Sequence, residues 1–221
     1  YCICTLERDD RYQECLDEFS SSNILNYEFY RPNKIENGSL GCFRSHMNVI
    51  KKIIDNDCEY ALILEDDFTF VNNDKLDNNI LKCITFLNEN SNEEILIKLG
   101  GINLKKYYKP NDFLYVSKSV LNHSYLIKQK LAKTIYCNYL DDITNDNKLL
   151  NENVDVYLAN KYKSFYILQN VCCIQRTSLS DNTWTNLMNI HDITNTTWWP
   201  YIQRKKSIRF LFGKFIYWFY F

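Results

Sequence analysis

The sequence predicts an α/β fold: a sheet flanked by helices, in a single domain that ends in a basic aromatic C-terminal tail. Three observations predict it. Short apolar runs alternate with longer stretches of helical periodicity, as expected for strands and helices layered around one sheet. Tyr60-Ala61-Leu62-Ile63-Leu64 is a continuous apolar run too short for a domain-spanning helix. It reads as a central strand covered on both faces, the parallel kind. The length of 221 residues suits one sizeable core better than two.

Taken in order, Tyr1 to Leu6 reads as the first strand, followed by a charged turn and a helix through about Phe19. Ile24 to Tyr30 is a second strand. Between Cys42 and Ile54, the residues Phe43, Met47, Ile50 and Ile54 fall at helical spacing. A second stripe through Val49 and Ile53 marks that helix as largely buried. Leu76 to Leu87 reads as a helix, and Ile95 to Leu99 as a strand ending at Gly100-Gly101. Asn103 to Asp112 is polar and aromatic and is predicted to be a loop over one end of the sheet. Ser124 to Ile127 forms a strand that feeds a helix from Lys128 to Tyr139. An acidic, asparagine-rich loop at 141–153 leads into a helix-like segment, Val154 to Asn160. Phe165 to Leu168 and Val171 to Ile174 complete the strands. No repeat or linker divides the chain, so residues 1–200 are assigned to one domain and 201–221 to the tail.

Composition excludes several classes. The 46% hydrophobic and 24% charged fractions rule out a disordered chain. Twenty-six basic residues against 27 acidic ones give a net charge of -1, too little positive surplus to capture nucleic acid electrostatically. Five glycines and three prolines exclude collagen-like architectures. The nine cysteines are odd in number, sit mostly in apolar runs and lack zinc-knuckle spacing. They are expected to be free thiols in a reducing compartment. The expected location is cytoplasmic or membrane-peripheral, with allowance for an upstream segment because the chain begins at Tyr1. In the tail, Arg204-Lys205-Lys206 precedes the aromatic segment Ile208 to Phe221. That segment is shorter than the ~20 residues of a membrane-spanning helix. It suits either an interfacial anchor or a terminal helix packed on the core.

Three local patterns carry chemistry. Glu65-Asp66-Asp67 follows the buried strand directly, and ligands of open α/β sheets sit at the carboxyl ends of strands. Adjacent carboxylates repel, and a hard divalent cation such as Mn2+ or Mg2+ would offset that; the alternative is a solvated acidic turn. Gly41-Cys42-Phe43-Arg44-Ser45-His46 opens the buried helix, where free amides attract phosphate. His46 is equally readable as a packed core histidine. Leu6-Glu7-Arg8-Asp9-Asp10-Arg11 sets two arginines three apart, able to hold a phosphate or carboxylate. A surface salt-bridge cluster with Asp9 and Asp10 is the alternative there.

Together these patterns resemble glycosyltransferase family 25, which includes lipooligosaccharide and collagen galactosyltransferases. Leu6, Arg8 and Arg11 match the family's leucine-x-arginine-x-x-arginine turn. Gly41, Cys42, Ser45 and His46 match its glycine-cysteine-x-x-serine-histidine segment, and Ala61 to Asp67 match its strand ending in Glu-Asp-Asp. Weaker likenesses run through His123 to Ile127, the aspartate segment Val154 to Leu158, and Gln175 with Ser178, Ser180 and Asp181, so that the resemblance covers roughly residues 1–182. Thr5 and Ser39-Leu40 depart from the pattern.

The resemblance implies a GT-A-like fold with a Rossmann-type mixed sheet flanked by helices, a nucleotide-sugar donor that is expected to be a uridine diphosphate hexose, and a saccharide or glycoprotein acceptor. It implies Asp66 and Asp67 as metal ligands, with Asp181 or His191 completing the shell. Leu6, Arg8, Arg11, Gly41, Ser45, His46, Glu65 and Gln175 would border the donor. Asp155, which opens a helix-like segment after a polar loop, would be the base of an inverting displacement; an ordinary helix N-terminal carboxylate is the competing reading. A nucleotidyltransferase would need a glycine-rich loop after the first strand, and residues 5–12 contain no glycine. A catalytically degenerate carbohydrate-binding or scaffold module is the other alternative.

Overall fold

Ile63 and Leu64 are neighbours in one strand, yet they feed two different cores. Side chains alternate across a strand, so an unbroken apolar run supplies both faces of a sheet at once. The computed structural model describes residues 1–71, 73–91, 94–145, 153–162 and 165–176. Its main sheet has eight strands: β1 (Cys2–Ile3), β2 (Phe29–Tyr30), β3 (Tyr60–Glu65), β5 (Leu96–Lys98), β6 (Ile102–Tyr108), β7 (Leu114–Val120), β8 (Ser124–Lys128) and β9 (Phe165–Leu168). They lie in the order β2-β1-β3-β8-β5-β9-β7-β6. Two further strands, β4 (Phe68–Phe70) and β10 (Cys173–Gln175), pair antiparallel beside it.

Helices cover both faces. On one, α2 (Gly38–Asp55), α4 (Gln129–Asn145) and α5 (Val154–Lys161) bury Phe43, Met47, Ile50, Leu131, Ile135 and Tyr157 against β1, β3 and β8. On the other, α1 (Asp9–Ser20) and α3 (Asn73–Glu89) pack Cys15, Phe19, Leu76, Cys83 and Leu87 against Leu64, Ile97 and Leu126. Each such side chain contributes about 1.5–3 kcal/mol when fully buried. All nine cysteines are free thiols; Cys2, Cys15, Cys83, Cys172 and Cys173 are buried among these apolar groups, and Cys4 is buried against the Thr5 and Arg8 carbonyls. No described helix is long and apolar enough to cross a membrane.

The mixed α/β architecture is the expected one, with four local corrections. The β3 strand is parallel to β1 but antiparallel to β8, with Leu62 opposite Leu126. A continuous apolar run reports two covered faces; it carries no information on neighbour direction. Residues 103–112, expected as a loop, largely belong to the β6–β7 hairpin at the sheet edge. Register shifts between Asn103 and Lys105 and between Lys106 and Tyr108 break the period-two pattern that would have marked a strand. Helix α2 starts at Gly38, capped by the Asn37 side chain, which accepts from the Leu40 amide at 3.1 Å. Gly41 is therefore inside the helix, its amide already bonded to the Asn37 carbonyl. Helix α4 runs on to Asn145, into the stretch expected to be a loop. The division at residue 200 and the tail lie outside the described residues.

Gly100 ties the two sheets together. A Cβ there would lie 1.9 Å from the Cys173 carbonyl oxygen, which belongs to the backbone of β10. The adjacent Cys172 amide donates to the Leu99 carbonyl at 3.0 Å, so β10 is seated directly on this glycine. Gly100→Ala is accordingly expected to destabilise the fold by at least ~1–3 kcal/mol, the usual range for overpacking, as read by urea unfolding. A variant as stable as the parent would mean that β10 can shift freely.

Candidate active site: an acidic cleft at the sheet edge

The register of β1 with β3 sets Ile3 opposite Glu65, so both strands stop at the same edge. Beyond it the β1–α1 connection, residues 32–35 and the first turns of α2 form one wall of a cleft of about 180 Å³. The opposite wall comes from the β3–β4 turn, residues 121–123, the start of α5 and Gln175. Four carboxyl groups line this cleft: Glu65, Asp66, Asp67 and Asp155.

The acidic turn is buried rather than solvated. Asp67 is 7% exposed. From α1, the equally buried Arg11 donates through Nη1 to Asp66 Oδ1 at 2.5 Å and lies 3.9 Å from Asp67 Oδ2. Gln175 Nε2 donates to Asp67 Oδ2 at 2.7 Å, across 108 residues of sequence. The Arg176 amide donates to the Asp67 carbonyl and its Nη2 to the Asp66 carbonyl, both at 2.6 Å. Burial, reinforced by Glu65 and Asp66, pushes the Asp67 carboxyl up to about 7. Burial, reinforced by Asp155 and Asp66, pushes Glu65 up to about 8. The Glu65 side chain keeps 24% of its surface accessible at the cleft, but the protein behind it still removes most of its hydration.

Asp155 sits in the first turn of α5, capped by Asn153, whose side chain accepts from the Asp155 amide at 2.8 Å. Burial raises its pKa, opposed by Lys98, by His46 and by the Leu121 and Asn122 backbone amides, which donate to the carboxylate. Leu121 has a φ of 69°, a left-handed conformation that costs a leucine about 1–3 kcal/mol. That turn lets its carbonyl accept from Lys98 Nζ at 3.2 Å while its amide serves Asp155. Lys98 has no exposed surface and lies 4.4 Å from the Phe165 ring centroid; burial brings its pKa down to about 8.

Several buried polar atoms in the cleft wall have no hydrogen-bond partner among the described residues. They are Thr5 Oγ1, Asp67 Oδ1, both amide atoms of Asn122, His123 Nδ1, Asp155 Oδ1 and Gln175 Oε1. Buried polar atoms are nearly always satisfied in folded proteins. Their concentration around one cleft marks a surface built to receive a polar ligand.

The structure brings together Arg11, Gly41, Ser45, Glu65, Asp66, Asp67, Asp155 and Gln175, all of which line the cleft. Ser45 Oγ donates to the Gly41 carbonyl at 2.7 Å. His46 lies behind the wall without exposed surface, bonded through Nδ1 to the Tyr125 hydroxyl at 2.8 Å and through Nε2 to Glu65 at 3.1 Å. Leu6 is 47% exposed, and neither it nor Arg8 lines the cleft. Arg8 instead pairs with Asp10 at 2.8 Å, the surface cluster that its sequence context also allowed. Asp181 and His191 lie outside the described residues. Sequence reasoning missed Lys98, Leu121 and Asn122. For Lys98 a signal existed, since one lysine closing an otherwise apolar strand implies a buried partner.

The profile of glycosyltransferase family 25 (LPS biosynthesis protein) matches residues 9–149. The matched stretch contains Arg11 and Glu65 to Asp67 but ends before Asp155 and Gln175. No curated protein matches the chain.

The burial of Asp67 has a consequence for stability. The folded state holds its proton up to about pH 7, against about 4 for a free carboxyl. Stability linked to this group is thus full below about pH 4 and is lost as pH rises toward 7. Asp67→Asn keeps an acceptor for Gln175 and removes the loss. The variant's advantage in unfolding free energy, without added metal, is expected to grow between pH 4.5 and pH 8 by on the order of a few kcal/mol. His46 and His123, each lowered to about 4 by burial, act in the opposite sense in acid but cancel in the difference. A pH-independent difference in urea unfolding would contradict the burial of this charge.

Proposed function

The chain belongs to glycosyltransferase family 25, which makes it a glycosyltransferase of a family serving lipopolysaccharide biosynthesis, and on that premise we propose a cation-dependent, inverting hexosyltransferase. The donor is a nucleotide sugar, a uridine diphosphate galactose or glucose; the acceptor is a saccharide or glycoprotein hydroxyl. One observation carries this reading: Asp67 Oδ1 and Asp155 Oδ1, each buried and unpartnered among the described residues, share a single cleft. They divide the two tasks of the reaction, charge compensation at the leaving group and proton removal at the acceptor.

The donor set fits a hard divalent cation. Asp67 offers an oxygen without a partner among the described residues, Asp66 stands beside it, and Glu65 completes a run of three adjacent carboxyls. Asp66 and Asp67 would hold Mn2+ or Mg2+, which when bound would act as a Lewis acid toward the departing diphosphate. Arg11, fixed by Asp66, keeps a permanent positive charge at the same edge for the phosphates. Ser45 and Gly41 border the donor on the α2 side. Gly41 matters by its size, because a Cβ there would come to 3.0 Å from the Ile35 side chain.

Asp155 takes the acceptor hydroxyl proton. As that proton moves to the carboxylate, the acceptor oxygen bonds to the anomeric carbon from the face opposite the leaving group. The bond from that carbon to the diphosphate oxygen breaks, and the nucleoside diphosphate leaves with the electron pair. The transition state has oxocarbenium character. Burial raises the Asp155 pKa, which strengthens it as a base, while Lys98 and the Leu121 and Asn122 amides oppose that rise. The family's work in lipopolysaccharide synthesis agrees with a membrane-proximal acceptor, which the basic aromatic tail at 201–221 would approach peripherally.

A screen of nucleotide sugars for hydrolysis and transfer, with and without Mn2+, tests the reading. Asp67→Ala is expected to abolish metal-stimulated turnover. Asp155→Asn should lower kcat by ~10²–10⁴ while calorimetry still detects donor binding. Full activity of a folded Asp67→Ala variant would remove the cation from the mechanism, and an unchanged kcat in Asp155→Asn would remove the base.

A further inference from the structure

Cys42 and His46 are four residues apart on α2, so their side chains share one helix face. Glu65, at the end of β3, meets that face from the sheet. The thiol sulfur, a ring nitrogen and a carboxylate oxygen all lie within 4.8 Å of one another. We propose that Cys42, His46 and Glu65 form a second cation site in the cleft wall, for a thiophilic divalent cation of the zinc class.

The donor set is that of such a cation. Zinc takes sulfur at about 2.3 Å and nitrogen or oxygen at about 2.0–2.2 Å in tetrahedral geometry, which requires ligand atoms roughly 3.4–3.6 Å apart. His46 Nε2 and Glu65 Oε1 stand at 3.1 Å and the sulfur lies within 4.8 Å of its partners, so closing the site calls for the first pair to open slightly and for the sulfur to approach by at most roughly 1.4 Å. The outer shell is also in place. When Nε2 ligates, Nδ1–H donates to the Tyr125 hydroxyl, now at 2.8 Å, which fixes the ring and its tautomer. Both ring positions are rigid, since His46 has no exposed surface and Tyr125 is fully buried. Cys42 and Glu65 line the cleft, so a cation can enter and its fourth position faces the ligand space. Binding exchanges the thiol proton for a sulfur–metal bond, with the proton released to solvent. This site differs in chemistry from the Asp66–Asp67 corner, where every ligand is a hard oxygen. It does not depend on the transferase reading, because metal occupancy is measured without substrate.

Cobalt(II) titration of the full chain, with no nucleotide present, is the direct test. One equivalent of Co2+ is expected to produce a near-ultraviolet thiolate-to-cobalt band and the intense visible absorption of a tetrahedral site. Zn2+ should erase both at lower concentrations than Mn2+ or Mg2+. Cys42→Ser, at a partly exposed position, should fold as the parent by circular dichroism and lose the near-ultraviolet band. Asp67→Asn should retain it. Tyr125→Phe, which keeps the ring packing, should weaken Co2+ binding by ~10–100-fold. A parent protein without the thiolate band, a band that survives in Cys42→Ser, or displacement by Mg2+ as readily as by Zn2+ would overturn the proposal.

Discussion

Charge crowding at one sheet edge governs this molecule. Glu65, Asp66, Asp67 and Asp155 converge on a single cleft, where Arg11 pairs with the Asp66 and Asp67 carboxylates and Arg176 holds the backbone of the acidic turn. Much of the surrounding architecture serves to keep these groups in place. The β1–β3 register aligns the strand ends, α1 delivers Arg11, and the β4–β10 pair carries Gln175 on to Asp67. An isolated ionised carboxylate is strongly disfavoured away from water. The arrangement becomes favourable when a protein cation, a proton or a bound cation shares the space.

The opposite wall shows a second form of the same constraint. Asp155 is supported by backbone amides from a leucine in a left-handed conformation and by the charge of a lysine with no exposed surface. Both features oppose stability locally, and both face the same carboxylate. Strain and buried charge are more readily understood where they hold a reactive group than where they merely fill a core. The two walls thus treat their acids differently: the β3–β4 turn crowds its carboxyls together, whereas at the α5 start backbone amides and a lysine oppose the rise that burial imposes on one carboxyl.

Much of this was legible in the residues. The apolar run Tyr60 to Leu64 announced a doubly covered strand, and the acidic triplet at its end announced the site. Arg11 and Asp155 were readable through spacing and resemblance to a family pattern. Other parts were not readable, for identifiable reasons. The β6–β7 hairpin escaped because its bulges interrupt alternation and an edge strand needs little apolar character. Arg8 and Arg11 look equivalent as a pair, but only Arg11 falls on the buried face of α1. Leu121 gave no signal at all, since its conformation is imposed by tertiary contacts on a residue that does not favour it.

The Gln175–Asp67 bond also orders events in time. During synthesis the acidic turn leaves the ribosome 108 residues before its partner. Until β10 arrives to pair with β4, the Asp66 and Asp67 side chains lack that cover and remain hydrated, where their charges cost little. Full desolvation of the corner therefore waits for β10, and a nascent chain is spared from enclosing bare negative charge before that partner exists.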